Sequence, residues 1–274
     1  MRIIDLSPEE LRQFIQQHHE KTYTLIDVRQ PGEYEASHIP GARLIPLPEL
    51  VLSMQRLPRG KDLVFYCRTG SRSAAAAAMV DDEAIVAAKL YNLTGGLLAW
   101  DGAAVADQPR VELFDTSGTP AAMLTTAMNL EKGALNFYSR VGAAHAAKPG
   151  LAVFAELAQA EIGHAKTVYH FQRQLDPALD PFDTCFDRLS GDVLEGGLTL
   201  EAALAKSARI RPGRPCLGLI ELALQIEYAA FDLYRVLADL TISPDARQAF
   251  LTIAQAEKKH MQILAEAVEA CSQR

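Results

Sequence analysis

Glu161 and His164 stand three residues apart in the run Ala158 to His164 (A-Q-A-E-I-G-H), and the pattern A-Q-A-E-x-x-H returns at Ala254 to His260, with Glu257 and His260 at the same spacing 96 residues later. A second pair keeps that offset. Glu131 precedes Glu161 by 30 residues, Glu227 precedes Glu257 by 30, and each is followed seven residues on by a tyrosine, Tyr138 and Tyr234. Glu and His at i and i+3 share one side of a helix about one turn apart, so they can share a metal centre. Four glutamates and two histidines turned into a helical core bury carboxylates that need compensating cations, and two divalent metals supply them. Oxygen and imidazole donors without thiolate suit iron or manganese, with zinc as a substitute. Tyr138 and Tyr234, two turns from their glutamates on the same stripe, are read either as hydrogen-bond donors beside the metals or as core packing.

A different chemistry belongs to Cys67-Arg68-Thr69-Gly70-Ser71-Arg72. A thiol at a helix N-terminus with two arginines nearby should have a lowered pKa, because amide dipoles and guanidinium charge both favour thiolate, the nucleophilic form. Backbone N–H groups curling around the sulfur would make a nest for its charge and for a bound anion. Four residues separate Cys67 from Arg72, one fewer than in the phosphate-binding loops of cysteine phosphatases, which makes the loop too small for phosphate.

These groups need elements to position them. Ser7 with Pro8 and Glu10 is a capping box that predicts a helix start. Tyr23 to Val28 and Leu63 to Cys67 read as buried strands, and the alanine-rich stretch Ser73 to Val80 as a helix. Cys67 thus falls in a strand–loop–helix unit, at the strand's carboxyl end where open α/β sheets keep their sites. In the second half, helices are expected over Met123 to Val141, Leu151 to Leu175, Leu217 to Leu240 and Asp245 to Ala270. Residues 146–150 and Ile242 to Pro244 would be turns, and residues 176–215 a long crossover holding a short helix near Glu201 to Ala208. His145, His170, Glu156 and Glu221 lie outside the repeat.

The 274 residues divide by composition into a domain at 1–110, a connector at 111–119 and a domain at 120–274. A net charge of -7 gives no basic footprint for nucleic acid, and no apolar run reaches the ~18 residues that span a bilayer. The first residues lead into a polar stretch instead of a signal sequence, so a cytoplasmic location is expected. Cys67, Cys185, Cys216 and Cys271 lie far apart with no C-x-x-C; the last three are read as structural, and no disulfide framework is expected.

Residues 1 to about 108 resemble a rhodanese-type sulfurtransferase domain. The motifs are Leu25-Ile26-Asp27-Val28-Arg29, Glu33-Tyr34 leading to His38-Ile39-Pro40-Gly41-Ala42, the Cys67 to Arg72 loop, and Leu93-Thr94-Gly95-Gly96 before Trp100. The resemblance implies that Cys67 takes sulfane sulfur from an anionic donor such as thiosulfate, holds it as a persulfide and passes it to a thiol or cyanide acceptor. Arg68 and Arg72 would bind the donor, and the backbone of Thr69, Gly70, Ser71 and Arg72 would cradle the sulfur. Asp27 and Arg29 are read either as a strand-end pair tying loops or as catalytic groups, and His38 as fixing a turn.

Residues 120–272 resemble the rubrerythrin branch of the ferritin-like family, whose ligand pattern is one Glu from each of two helices and Glu-x-x-His from the other two. The resemblance implies a di-iron centre held by Glu131, Glu161, His164, Glu227, Glu257 and His260, with Glu161 and Glu257 bridging. Two features depart from that branch. Ala230 stands where many members carry a further glutamate, and no rubredoxin cysteines are present, so electrons must come from an external donor or from neighbouring sulfur chemistry. The expected protein is an α/β rhodanese-like domain, a parallel sheet with flanking helices, followed by an all-α ferritin-like four-helix bundle. It would combine sulfur transfer with peroxide- or oxygen-reducing chemistry, as a homo-oligomer. Two other readings stay open: a bundle that only binds metal or assembles copies beside an active first domain, and a non-catalytic sulfur or redox sensor.

Overall fold

Alternate residues of the strands separate two apolar faces. Ile26, Leu63, Phe65 and Leu90 pack on one side of the sheet, and Tyr23, Leu25, Val64, Tyr66 and Tyr91 on the other. Both faces being buried, the strands read as continuous apolar runs. The computed structural model describes residues 3–83, 87–145, 149–210 and 215–272. The chain divides into two units, Met1–Gln108 and Pro109–Arg274.

The first unit runs β1 (Ile3–Leu6), α1 (Pro8–Gln17), β2 (Tyr23–Asp27), α2 (Pro31–Ala36), β3 (Arg43–Leu44), α3 (Leu47–Ser53), β4 (Asp62–Tyr66), α4 (Ser71–Asp82), β5 (Leu90–Leu93) and α5 (Gly96–Ala99). Its strands form one parallel sheet in the order β1-β5-β4-β2-β3, with Leu25 opposite Val64 and Asp27 opposite Tyr66. The capping box at α1 is made in full: the Ser7 hydroxyl accepts from the Glu10 N–H, and the Glu10 carboxylate accepts from the Ser7 N–H at 2.7 Å. Strand β4 lies centrally, so Cys67 leaves its carboxyl end on the same face as Leu63 and Phe65, beneath α4.

The second unit contains α6 (Pro120–Ala144), α7 (Val153–Leu175), α8 (Phe182–Asp187), α9 (Leu200–Ala208), α10 (Pro215–Leu240) and α11 (Pro244–Ser272). Helices α6 with α7 and α10 with α11 form two hairpins, joined by a crossover that carries α8 and α9. Residues 146–148 of the expected first turn lie outside the described residues. Within residues 111–119, expected as a connector, Phe114 is buried in this unit's core with Val111 and Leu113 packed against the same cluster, and it meets Phe250 edge-on with ring centroids 5.9 Å apart, while residues 115–119 are exposed. An apolar side chain inside a turn-rich stretch found a core to enter.

Two further differences concern cysteine and helix α8. Cys216 and Cys271 form a disulfide between the start of α10 and the end of α11, contrary to the expectation of none. An antiparallel hairpin brings those distant positions together, which spacing along the chain hides. Helix α8 was not expected; the Lys132 ammonium holds its last turn, donating to the Phe186 carbonyl at 2.7 Å.

Candidate functional site

In the first unit the site grows from one backbone turn. Cys67 is buried, and its Sγ accepts from the Gly70 N–H at 3.1 Å, with the Ser73 hydroxyl 3.5 Å away. Burial pushes the thiol up. The Ser73 hydroxyl and the N–H groups of Ser73, Thr69 and Gly70 more than offset it, and the thiol settles below its ordinary range. The backbone nest is therefore present, its hydrogen bonds come first in lowering the thiol, and the Arg72 and Cys67 charges also favour one another. Arg72 is held by Glu33, whose carboxylate accepts from both guanidinium nitrogens at 2.9 and 2.8 Å. Hydrogen bonding to Arg72 draws Glu33 down to about 2. Arg68, Thr69 and Ser71 stand exposed around the loop.

Glycine at position 96 lets the rest of the sheet edge support this loop. A Cβ there would stand 2.4 Å from the Cys67 carbonyl oxygen, so only glycine allows the approach. The first N–H groups of α5 then reach the loop, Leu97 donating to Cys67 O at 2.8 Å and Leu98 to Arg68 O at 3.0 Å. Arg29 forks onto Asp27 at 2.9 and 2.6 Å and donates to the Ser37 carbonyl at 2.7 Å, which makes the pair a loop tie. The His38 ring stacks on Tyr34 at 3.6 Å, and its backbone bridges to Val105.

In the second unit the repeat becomes a polar layer between two apolar clusters. Ala127, Leu130, Ala165, Ala230 and Ala254 belong to the cluster on one side; Ala134, Tyr138, Leu157, Ile226 and Leu264 belong to the other. Glu131, Glu161, His164, Glu227, Glu257 and His260 lie between them along all four helices, each at most 7% exposed. His164 Nδ1 stands 3.1 Å from Glu131, 3.2 Å from Glu161 and 3.1 Å from Glu257. His260 Nδ1 stands 3.0 Å from Glu227, 3.0 Å from Glu257 and 3.7 Å from Glu161. Glu161 and Glu257 thus reach both histidines, one oxygen toward each. The two imidazoles stack with centroids 4.8 Å apart.

Electrostatics follow from that crowding. Burial would lower His260, yet Glu227 and Glu257 push it up to about 11. Burial and the Glu257 charge push Glu227 up to about 8. The Tyr138 hydroxyl donates to Glu227 Oε1 and the Tyr234 hydroxyl to Glu131 Oε1, so each tyrosine serves the glutamate of the other hairpin. Outside the layer, Glu156, Glu221 and His170 are exposed and His145 caps the end of α6. Cys185 donates to the Asp180 carbonyl.

Glu195, in the crossover, was not anticipated. It is 2% exposed, neither carboxylate oxygen has a hydrogen-bond partner, and its ligand atom lies within 4.8 Å of those of Glu131 and Glu161. Burial and the charges of Glu131, Glu161 and Glu257 push its carboxyl well above the ordinary range. The signal that could have found it is a glycine in mid-helix: a Cβ at Gly133 would stand 2.0 Å from the Val193 carbonyl oxygen, so that glycine marks where the crossover lies against α6.

This donor set fits a pair of divalent cations. Five buried carboxylates face two imidazoles, an excess of negative charge that an apolar surround does not tolerate uncompensated. Two donors on one first-row cation, at bond lengths of about 2.1 Å, sit roughly 3 Å apart, which is the spacing of the histidine nitrogens and carboxylate oxygens. All donors are oxygen or imidazole, as iron and manganese prefer.

Comparison with known proteins agrees in both units. The Rhodanese-like domain family matches residues 7–103, and the Rubrerythrin family matches residues 219–274, the second hairpin. A sulfurtransferase of Allochromatium vinosum is 36% identical over 76 residues, 28% of this chain and 69% of that one. The protein YtwF of Bacillus subtilis is 34% identical over 102 residues, 37% of this chain and 94% of that one. The matched region spans as little as 24% of a longer relative, MoeZ of Mycobacterium tuberculosis. The crystal structure of a rhodanese-like domain protein from Staphylococcus aureus aligns at 24% identity with a TM-score of 0.34, covering 38% of this chain and 99% of that one. No helix among the described residues is long and apolar enough to cross a membrane.

Proposed function

Since the chain belongs to the rhodanese-like family through its first unit and carries a rubrerythrin domain, with the iron binding that implies, in its second, we propose that it is a sulfurtransferase acting through Cys67, joined to a redox centre of two iron ions. The Cys67 thiolate attacks the outer sulfur of an anionic donor such as thiosulfate, a sulfur–sulfur bond forms, and sulfite leaves with the bonding electron pair. Attack by an acceptor thiolate on that outer sulfur returns Cys67 as thiolate. Cyanide can serve as acceptor in the same way. The N–H groups of Thr69, Gly70 and Ser73 stabilise the charge on sulfur in both resting and persulfide forms. Exposed Arg68 draws the anion to the loop, and Arg72 stiffens it through Glu33.

In the bundle, Glu131, Glu161 and His164 would hold one ion, and Glu227, Glu257 and His260 the other, with Glu161 and Glu257 shared. Bound iron supplies electron transfer to peroxide or dioxygen, with electrons from thiols, from persulfide or from an external donor. Tyr138 and Tyr234 fix the orientation of Glu227 and Glu131 and hold a proton on each tyrosine oxygen. The apolar clusters on either side keep bulk water from the layer.

The observation that carries the reading furthest is that Glu161 and Glu257 each reach both histidines. The test incubates the full chain with thiosulfate and reads the mass of one added sulfur on Cys67, then follows peroxide consumption by iron-loaded and metal-depleted protein. The reading expects sulfur uptake lost in Cys67→Ser, and peroxide consumption lost with the metal. Sulfur uptake by Cys67→Ser, or peroxide consumption indifferent to metal, contradicts it.

A further inference from the structure

We propose that Glu195 is a seventh protein ligand of the metal pair, delivered by the crossover onto the ion that Glu131 and Glu161 hold; this rests on the metal-centre reading above. A carboxylate kept in the interior for structural reasons is met by donors. Neither oxygen of Glu195 is, although the side chain is 2% exposed. What it does meet is other acids: its ligand atom and those of Glu131 and Glu161 lie within 4.8 Å of one another, an arrangement that repels unless a cation sits among them.

The chain around Glu195 is built to hold it there. The Val193 carbonyl packs against Gly133, two residues after Glu131 on α6. Val193 pairs with Thr199 in an antiparallel bridge, Leu194 N–H donates to Leu198 O at 2.9 Å, and Gly197 N–H donates to Leu194 O at 2.8 Å. Just before this turn, Gly191 is fastened from both sides: its N–H donates to Asn129 Oδ1 at 2.9 Å, and its carbonyl accepts from Asn136 Nδ2 at 3.0 Å. Leu194, fully buried in the cluster beside the layer, completes the anchor. A side chain on so constrained a segment arrives at one position, as a ligand must.

Cobalt(II) titration of the metal-stripped full chain tests this. Wild type is expected to take up two ions per chain. Glu195→Gln keeps size and shape, so its far-UV circular dichroism should match wild type, while one of the two dissociation constants rises tenfold or more and the visible d–d absorption of that ion changes. Glu195→Gln with both affinities and the spectrum of wild type overturns the proposal. Should the variant fold poorly, the structure of cobalt-loaded wild type decides: a Glu195 oxygen bonded to an ion supports the proposal, and Glu195 beyond contact with either ion overturns it. Wild type that binds no cobalt, manganese or iron removes the metal-centre reading itself, a result distinct from a normal site indifferent to Glu195.

Discussion

The hydroxyl of Tyr138, on α6, donates to Glu227, on α10, and the repeat-related Tyr234 returns the same bond to Glu131. The two hairpins therefore brace each other's glutamate. Removing one hydroxyl leaves a buried carboxylate oxygen unpaired, at a cost of about 1–3 kcal/mol. Tyr138→Phe and Tyr234→Phe should each lower the denaturant midpoint and weaken metal binding, on the order of tenfold. Tyr138→Phe should act on the ion beside Glu227 and His260, and Tyr234→Phe on the one beside Glu131 and His164. Metal titration of both variants resolves this; an unchanged pair of affinities would show the tyrosines to be packing alone.

The Cys67 thiol is lowered by hydrogen bonds against burial, with the Ser73 hydroxyl foremost among them. In Ser73→Ala the opposing effect of burial gains weight and the thiol pKa rises. Thiolate is present only above that pKa, so the pH profile of Cys67 alkylation by iodoacetamide moves to higher pH. The rate at a fixed pH on the rising limb of the profile falls accordingly. A profile that stays in place would show that the Ser73 hydroxyl does not set the thiol pKa.

Gly133→Ala reverses the usual helix rule. Alanine in a helix interior normally stabilises by about 1 kcal/mol over glycine. Here the added methyl meets the Val193 carbonyl oxygen, and either the crossover or α6 must shift. The variant should melt below wild type and bind metal more weakly. Equal or greater stability with unaltered metal binding would mean that the crossover does not depend on this contact.

The disulfide between Cys216 and Cys271 links positions 55 residues apart. The chain-entropy account assigns such a link about 4 kcal/mol. Reductant should therefore lower the unfolding midpoint of wild type and leave Cys271→Ser unchanged. Insensitivity of wild type would show that the two thiols are not joined in solution.

The polar layer was legible because a helix converts spacing into direction: Glu and His three apart, twice, with partners at one common offset, have few arrangements besides a shared core. The cysteine loop was legible for a similar reason, a strand leading into glycine and then an alanine-rich helix. Three relationships were not. Tyr138 and Tyr234 share a stripe with their own helix's glutamate, yet serve the other hairpin's, because helix packing and not sequence spacing sets which carboxylate lies across the layer. Arg72 looks free beside Cys67, but Glu33 approaches from a segment 39 residues away. Glu195 belongs to no repeat and sits in irregular chain, where side-chain direction has no period to betray it.

Metal content after reconstitution tests the central claim most directly. The 274-residue chain, stripped, reloaded with iron and freed of excess, is assayed for iron per chain beside a His164→Ala/His260→Ala variant checked for folding. The account predicts two ions per wild-type chain and a loss of both in the double variant. Wild type without iron, or a double variant that retains both ions, would contradict it.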